Sequence, residues 1–204
     1  MIVIVDYGLG NLRSVAGAVN RVGCDAVISS SADDIDRAGK LILPGVGAFG
    51  DGMRNLRDLG LLDALHAAAN QRHIPILGIC LGAELMARES DEFGRHDGLG
   101  WIDASVTKLT PVDSALRVPH VGWNAVRCTR DDALLAGVPD DAWFYFVHSY
   151  HIVCRDRDAV MAEADYGGPV LAALHRDNIY GTQFHPEKSQ RHGLTVLRNF
   201  LAQA

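Results

Sequence analysis

Short apolar runs punctuated by glycine alternate with helical stretches through the first half of this chain. Ile2–Val5 reads as a buried strand and Asp6-Tyr7-Gly8-Leu9-Gly10 as the turn after it. Asn11 can then cap a helix carrying Leu12, Val15, Ala16 and Val19 on one side. Ala26–Ser29 and residues 41–43 are further strands, and Met53, Leu56, Leu59, Leu62 and Leu65 fit a helical period. Residues 74–79 form another apolar run, and a helix through Glu84, Leu85 and Met86 is expected after it. Apolar strands alternating with helices predict a parallel sheet covered on both faces. From about Trp101 the pattern changes to short β-prone runs at 105–109, 143–148, 152–154, 170–174 and 179–184. Helical spacing returns with Leu194, Leu197, Phe200 and Leu201. The expected fold is α/β, a mostly parallel central sheet flanked by helices, with later strands partly antiparallel and a C-terminal helix over 194–204.

Length and composition narrow the function classes. At 204 residues, without linkers or repeats, the chain is expected to form a single domain over 1–204. Its 48% hydrophobic and 22% charged residues argue for a globular protein rather than a disordered or fibrous one. A net charge of −6 opposes a phosphate-tracking, nucleic-acid-binding role. The start, Met1-Ile2-Val3-Ile4-Val5-Asp6, lacks the basic region of a signal peptide, and no run is long enough to span a membrane. Cys24, Cys80, Cys128 and Cys154 are far apart, without a C-x-x-C pair, so neither a zinc site nor a disulfide framework is indicated. A cytoplasmic, reduced protein without metal or cofactor is expected.

Gly45-Val46-Gly47-Ala48-Phe49-Gly50 matches a dinucleotide-binding G-x-G-x-x-G, but three features oppose that reading. The motif follows the third strand, Pro44 intrudes, and no acidic residue closes the next strand, where a ribose would need one. Gly78-Ile79-Cys80-Leu81-Gly82 is more informative. It is the cysteine form of the G-x-S-x-G elbow, a sharp strand-to-helix turn that lifts a nucleophile above a sheet. A thiol there is expected to gain thiolate character from the helix N-terminus. A nucleophilic thiol needs a base, and the base needs an orienting group. His185-Pro186-Glu187 follows the last strand, and in extended chain residues i and i+2 project to one side. Glu187 can therefore hold the imidazole of His185 in the catalytic tautomer. His66, His73, His96 and His192 have no such setting and read as structural.

With these pieces placed, the chain resembles, over nearly its whole length, the glutaminase subunits of imidazole glycerol phosphate synthase. These are triad-type (class I) glutamine amidotransferases. The matching segments are Asp6-Tyr7-Gly8 with Gly10-Asn11, Leu43-Pro44-Gly45-Val46-Gly47, the Cys80 elbow, and Pro119-His120-Val121-Gly122-Trp123-Asn124. They continue with Tyr145-Phe146-Val147-His148-Ser149-Tyr150 and Gln183-Phe184-His185-Pro186-Glu187. The resemblance implies a flavodoxin-like fold and hydrolysis of L-glutamine through a Cys80 thioester, with His185 as acid–base and Glu187 as its orienter. It implies an oxyanion site from the backbone N–H of Leu81 and one from Val46 or Gly47, and glutamine held by Ser149 and Tyr150. It further implies a heterodimer with a (β/α)₈-barrel cyclase subunit that takes the ammonia. The cyclase makes imidazole glycerol phosphate and aminoimidazole carboxamide ribotide in histidine biosynthesis. His120, Trp123, Tyr145 and Lys188 match positions at or near that subunit contact.

One position departs from the family pattern. The elbow usually continues Gly-Met-Gln, and here it reads Gly82-Ala83-Glu84. A carboxylate is acceptor-only, and its charge one turn from Cys80 opposes thiolate formation. The expectation is retained activity with altered glutamine affinity. Two other classes fit the residues less well. A cysteine peptidase of the elbow type would usually place histidine where Leu81 stands, and a catalytically dead module would not need Cys80, His185 and Glu187.

Overall fold

The computed structural model describes residues 1–203. The first half is built of β1 (Ile2–Val5), α1 (Leu12–Arg21), β2 (Ala26–Ser29), α2 (Ala32–Arg37), β3 (Lys40–Gly45), α3 (Phe49–Asp58), α4 (Leu62–Asn70), β4 (Ile76–Cys80) and α5 (Leu81–Glu84). The second half contributes β5 (Glu89–Ser90), β6 (His96–Asp97), β7 (Ala104–Lys108), β8 (His120–Cys128), β9 (Ala142–His148), β10 (Tyr150–Cys154), β11 (Val160–Asp165), β12 (Pro169–Arg176), β13 (Ile179–Thr182) and α6 (Gln190–Ala202). A nine-stranded sheet runs β2-β1-β3-β4-β13-β12-β11-β8-β9, and a smaller one runs β10-β7-β5-β6. The first five strands of the large sheet pair in parallel, in the flavodoxin-like order. From β13 outward the pairs are antiparallel.

Alternation along the inner strands explains the two-sided core. Val3, Val5, Leu41 and Leu43 pack with Phe49, Leu56 and Leu65 on one face. Ile4, Ile42, Leu77 and Ile79 pack with Phe144, Phe184, Val196 and Phe200 on the other. Period-2 side chains covered on both faces are what a buried parallel sheet requires.

Four local expectations need correction. The leucine repeat through residue 65 is two helices, because Gly60 at φ +68° breaks it between Leu59 and Leu61. The helix after Cys80 ends at Glu84, and Leu85 and Met86 lie beyond it. The last strand stops at Thr182, so His185 caps a tight 3₁₀ turn, Pro186–Lys188, instead of continuing a strand. Strands β5, β6, β8 and β11 fall outside the sequence reading, and the expected runs 105–109 and 152–154 pair in a separate four-stranded sheet as β7 and β10. The Asn11 cap is present, its side chain accepting from the Ser14 N–H at 3.4 Å.

Candidate active site

The carboxyl ends of β3, β4 and β13 meet at one place, because these strands are adjacent and parallel. Cys80 ends β4 with φ +52°, a left-handed conformation that an L-residue adopts at a cost of roughly 1–3 kcal/mol. Its two flanking glycines permit the bend by close approach. A Cβ on Gly78 would sit 2.6 Å from the Ala83 Cα, and one on Gly82 would sit 1.7 Å from the Leu43 carbonyl oxygen. The strained elbow therefore depends on both glycines.

Strand β13 carries the imidazole to the same end. Thr182 pairs with Ile79, which sets Gln183 level with Cys80, and Gln183 Nε2 lies 4.0 Å from Cys80 Sγ. Two residues on, the His185 N–H donates to the Tyr145 carbonyl at 2.9 Å. Ser189 locks the turn, donating to the His185 carbonyl at 2.6 Å and accepting from the Tyr145 N–H at 3.0 Å. His185 Nδ1 then donates to Glu187 Oε1 at 2.8 Å, both side chains being almost fully buried. The pairing expected from an extended chain is thus realised by a tight turn. With Nδ1 committed to the carboxylate, Nε2 is the free nitrogen, and it is buried without a partner among the described residues.

Cys80 opens onto a cavity of about 430 Å³ lined also by Val46, Gly47, Leu81, Glu84, Glu92, Pro119, Val147, His148, Ser149, Tyr150 and Lys188. Every substrate-side residue expected from sequence is therefore gathered here. The expected electrostatics are not. Burial pushes the Cys80 thiol well above its ordinary range and nearby Glu84 adds to this, while a hydrogen bond from the Leu81 backbone pulls the other way. A four-residue α5 has too little length to ionise a buried thiol, so a base must take the proton when Cys80 reacts. Glu84 is pushed up to about 8, first by burial and then by Glu92, against the lowering bond from Gln183. It does not present the fixed charge that the sequence suggests at neutral pH.

Glu92 has no sequence signal, since it sits in a loop after the two-residue β5. The fold brings it into the cavity and fixes it by the Phe49 N–H, which opens α3 and donates to Glu92 Oε2 at 2.6 Å. A carboxylate there interacts favourably with the positive end of the helix dipole.

Of the four residues matched to positions at or near a subunit contact, His120 lies beneath the surface. It is only 2% exposed and stacks between Phe146 and Tyr166, with ring centroids 4.8 and 3.9 Å away. Trp123 is 41% exposed and pairs with Tyr145 across β8 and β9, while the Lys188 ammonium lies 5.6 Å from the Tyr145 ring centroid. The inward side of these strands holds a polar chain. His148 Nδ1 donates to the Tyr150 carbonyl at 2.8 Å, and its Nε2 accepts from His120 Nδ1 at 3.0 Å. Burial pushes His148 down to about 3 and His120 to about 4, so both stay neutral in the native protein. The unfolded chain binds protons here that the folded one refuses, so stability rises with pH through this window and is lost as pH falls. For His148 the loss by pH 5 is about 2 kcal/mol. Urea unfolding at pH 7 and pH 5 should show it, with a smaller difference in His148→Gln.

A family model described as "Glutamine amidotransferase class-I" matches residues 3–204. Geometry and match together define a glutamine amidotransferase of class I. Among curated proteins, "Imidazole glycerol phosphate synthase subunit HisH 2" of Methanococcus maripaludis is 43% identical over 204 residues, the whole of both chains. The protein of the same name from Pseudomonas aeruginosa is 44% identical over 201 residues, 98% of each chain. A solved structure titled "Structure of PurLQS from Thermotoga maritima" superposes with a TM-score of 0.75 at 18% identity, covering 98% of this chain and 96% of that one, a likeness of fold alone. The chain belongs to the HisH family of imidazole glycerol phosphate synthase subunits.

Proposed function

We propose that this chain is the glutaminase half of an imidazole glycerol phosphate synthase, with Cys80, His185 and Glu187 as its triad. The free His185 Nε2 takes the Cys80 proton as sulfur attacks the side-chain amide carbon of glutamine. The same nitrogen returns the proton to the departing ammonia, leaving a γ-glutamyl thioester. Water, deprotonated by His185, then releases glutamate and regenerates the thiol. The tetrahedral oxyanion is met by the Leu81 N–H and one from Val46 or Gly47, a pair whose single donors are each worth about 3–4 kcal/mol. Glu92 accepts from the α-ammonium of glutamine, and Ser149 and Tyr150 help to hold the molecule in the cavity. The observation that carries this reading is the strained Cys80 elbow, opening on a cavity with Glu84 and Glu92, at the end of a strand whose parallel neighbour β13 leads into the buried His185–Glu187 pair.

Ammonia set free in water is protonated and lost as a nucleophile, so a partner must receive it directly. The outward face of β8 and β9 supports a docking surface for that partner, a (β/α)₈ cyclase subunit. Val121 is 55% and Trp143 56% exposed, and they flank the Trp123–Tyr145 pair. Exposed apolar groups gathered on an edge strand mark an interaction site. Val147, opposite Val121, carries this face to the Cys80 cavity, its carbonyl 3.9 Å from Sγ.

Glutamine hydrolysis is expected to rise stepwise from the chain alone, to the chain with the cyclase subunit, to both with the cyclase's nucleotide substrate. Release of glutamate measures it. Absence of hydrolysis in all three, with the complex assembled, overturns the reading.

A further inference from the structure

Glu84 is packed where a charged carboxylate is poorly served. Its side chain is 5% exposed and lines the Cys80 cavity. Oε1 accepts from Gln183 Nε2 at 2.8 Å, a neutral donor. The groups facing it come from every side of the site: Cys80 ending β4, Tyr7 after β1, Glu92 after β5, and Gln183 after β13. Tyr150, Lys188 and the neutral His148 also line the cavity. The one cation among these, Lys188, lies over the Tyr145 ring, and among the described residues no ion pair includes Glu84. Ionised, Glu84 would share one small cavity with the Glu92 carboxylate and stand against the reacting sulfur, with no counter-charge of its own.

Resting on the glutaminase reading above, we propose that Glu84 works as a neutral carboxylic acid and determines glutamine affinity through its proton. With Oε1 held by the Gln183 amide, the other oxygen is a hydroxyl that donates to an oxygen of bound glutamine. An amide at this position would supply such a donor, whereas a carboxylate offers acceptors only. Burial that holds the group neutral up to about pH 8 agrees with this role and sets its sign. Below that value the hydroxyl is present; above it the donor is lost and a second negative charge enters the cavity. Affinity should therefore fall as pH rises. This also revises what the sequence alone suggests, a fixed charge that weakens the thiol at every pH.

The test is the pH profile of glutamine hydrolysis from pH 6.5 to 9.5, for the protein and for Glu84→Gln, each assembled with the cyclase subunit and its nucleotide. The α-ammonium of glutamine also titrates in this range, but it is common to both proteins and cancels in their ratio. Relative to the variant, kcat/KM of the unmodified protein is expected to fall about tenfold between pH 7 and pH 9, the change residing in KM. Infrared spectra should show a protonated-carboxyl stretch near neutral pH that fades through pH 8 and is missing from Glu84→Gln. Parallel kinetic profiles, or no such band, overturn the inference and leave the glutaminase reading standing. No hydrolysis by either protein at any pH overturns both.

Discussion

Cys80→Ser is expected to abolish glutamine turnover, with kcat falling on the order of 10⁴-fold or more, as triad nucleophiles do elsewhere. Serine differs from cysteine by one atom and can occupy the same left-handed backbone at φ +52°, so the fold should be kept. The chemistry should not, because a hydroxyl is a far weaker acid and nucleophile than a thiol when His185 is the only base. Burial and the neighbouring Glu84 already oppose ionisation of the thiol, and a hydroxyl in the same place fares worse. Covalent capture by a glutamine-like electrophile, read by intact mass, should modify the unmodified protein once and Cys80→Ser not at all. Modification that persists in the variant would move the nucleophile elsewhere, and none of Cys24, Cys128 or Cys154 lines this cavity.

The elbow is legible in the sequence because its physics is local. Glycine stands on both sides of Cys80 where any Cβ would strike Ala83 or Leu43, and a spacing that strict survives translation into coordinates. The inner strands are legible for a similar reason, since apolar runs such as 74–79 need no partner to be recognised. Strand β8 is opaque because its first apolar residues face outward. Val121 and Trp123 are exposed while His120 is buried, which inverts the usual pattern. Long-range placement hides the rest. Glu92 enters the cavity only because the Phe49 N–H, more than forty residues earlier, holds it there. Glu84 is visible as a carboxyl, but its neutrality follows from burial beside Gln183 and Glu92, which no spacing encodes.

The imidazole shows how a correct pairing can rest on an incorrect picture. An i, i+2 relation in extended chain suggests His185 beside Glu187, and the two do meet at 2.8 Å, but across a 3₁₀ turn. That turn is tied to β9 by two hydrogen bonds at Tyr145, and Ser189 closes it with a third to the His185 carbonyl. The orienting pair is thereby rigid, and β9 also carries part of the exposed aromatic face. A partner seated on that face would bear directly on the strand that positions the base.

Glu187→Gln isolates the orienting role, because it keeps shape and hydrogen-bonding reach while removing the charge. Glu187 Oε1 accepts from His185 Nδ1, and Oε2 is buried with no partner among the described residues. A glutamine can present its NH₂ to Nδ1 and so favour the tautomer with the proton on Nε2. His185 would then confront Cys80 with a donor where an acceptor is needed. It would also lose the negative charge that stabilises the imidazolium formed when the thiol proton moves. In a serine hydrolase triad the equivalent change lowers kcat about 10⁴-fold, and a loss of similar order is expected here. Because glutamine is gripped by other walls of the cavity, KM should change much less than kcat. Folding should be spared too, since an amide in this buried site costs less to desolvate than a carboxylate. Steady-state kinetics of the assembled synthase, with thermal unfolding as control, separates these effects. A Glu187→Gln protein that retains most of its kcat would remove Glu187 from the triad and leave His185 oriented by its backbone ties to Tyr145 alone.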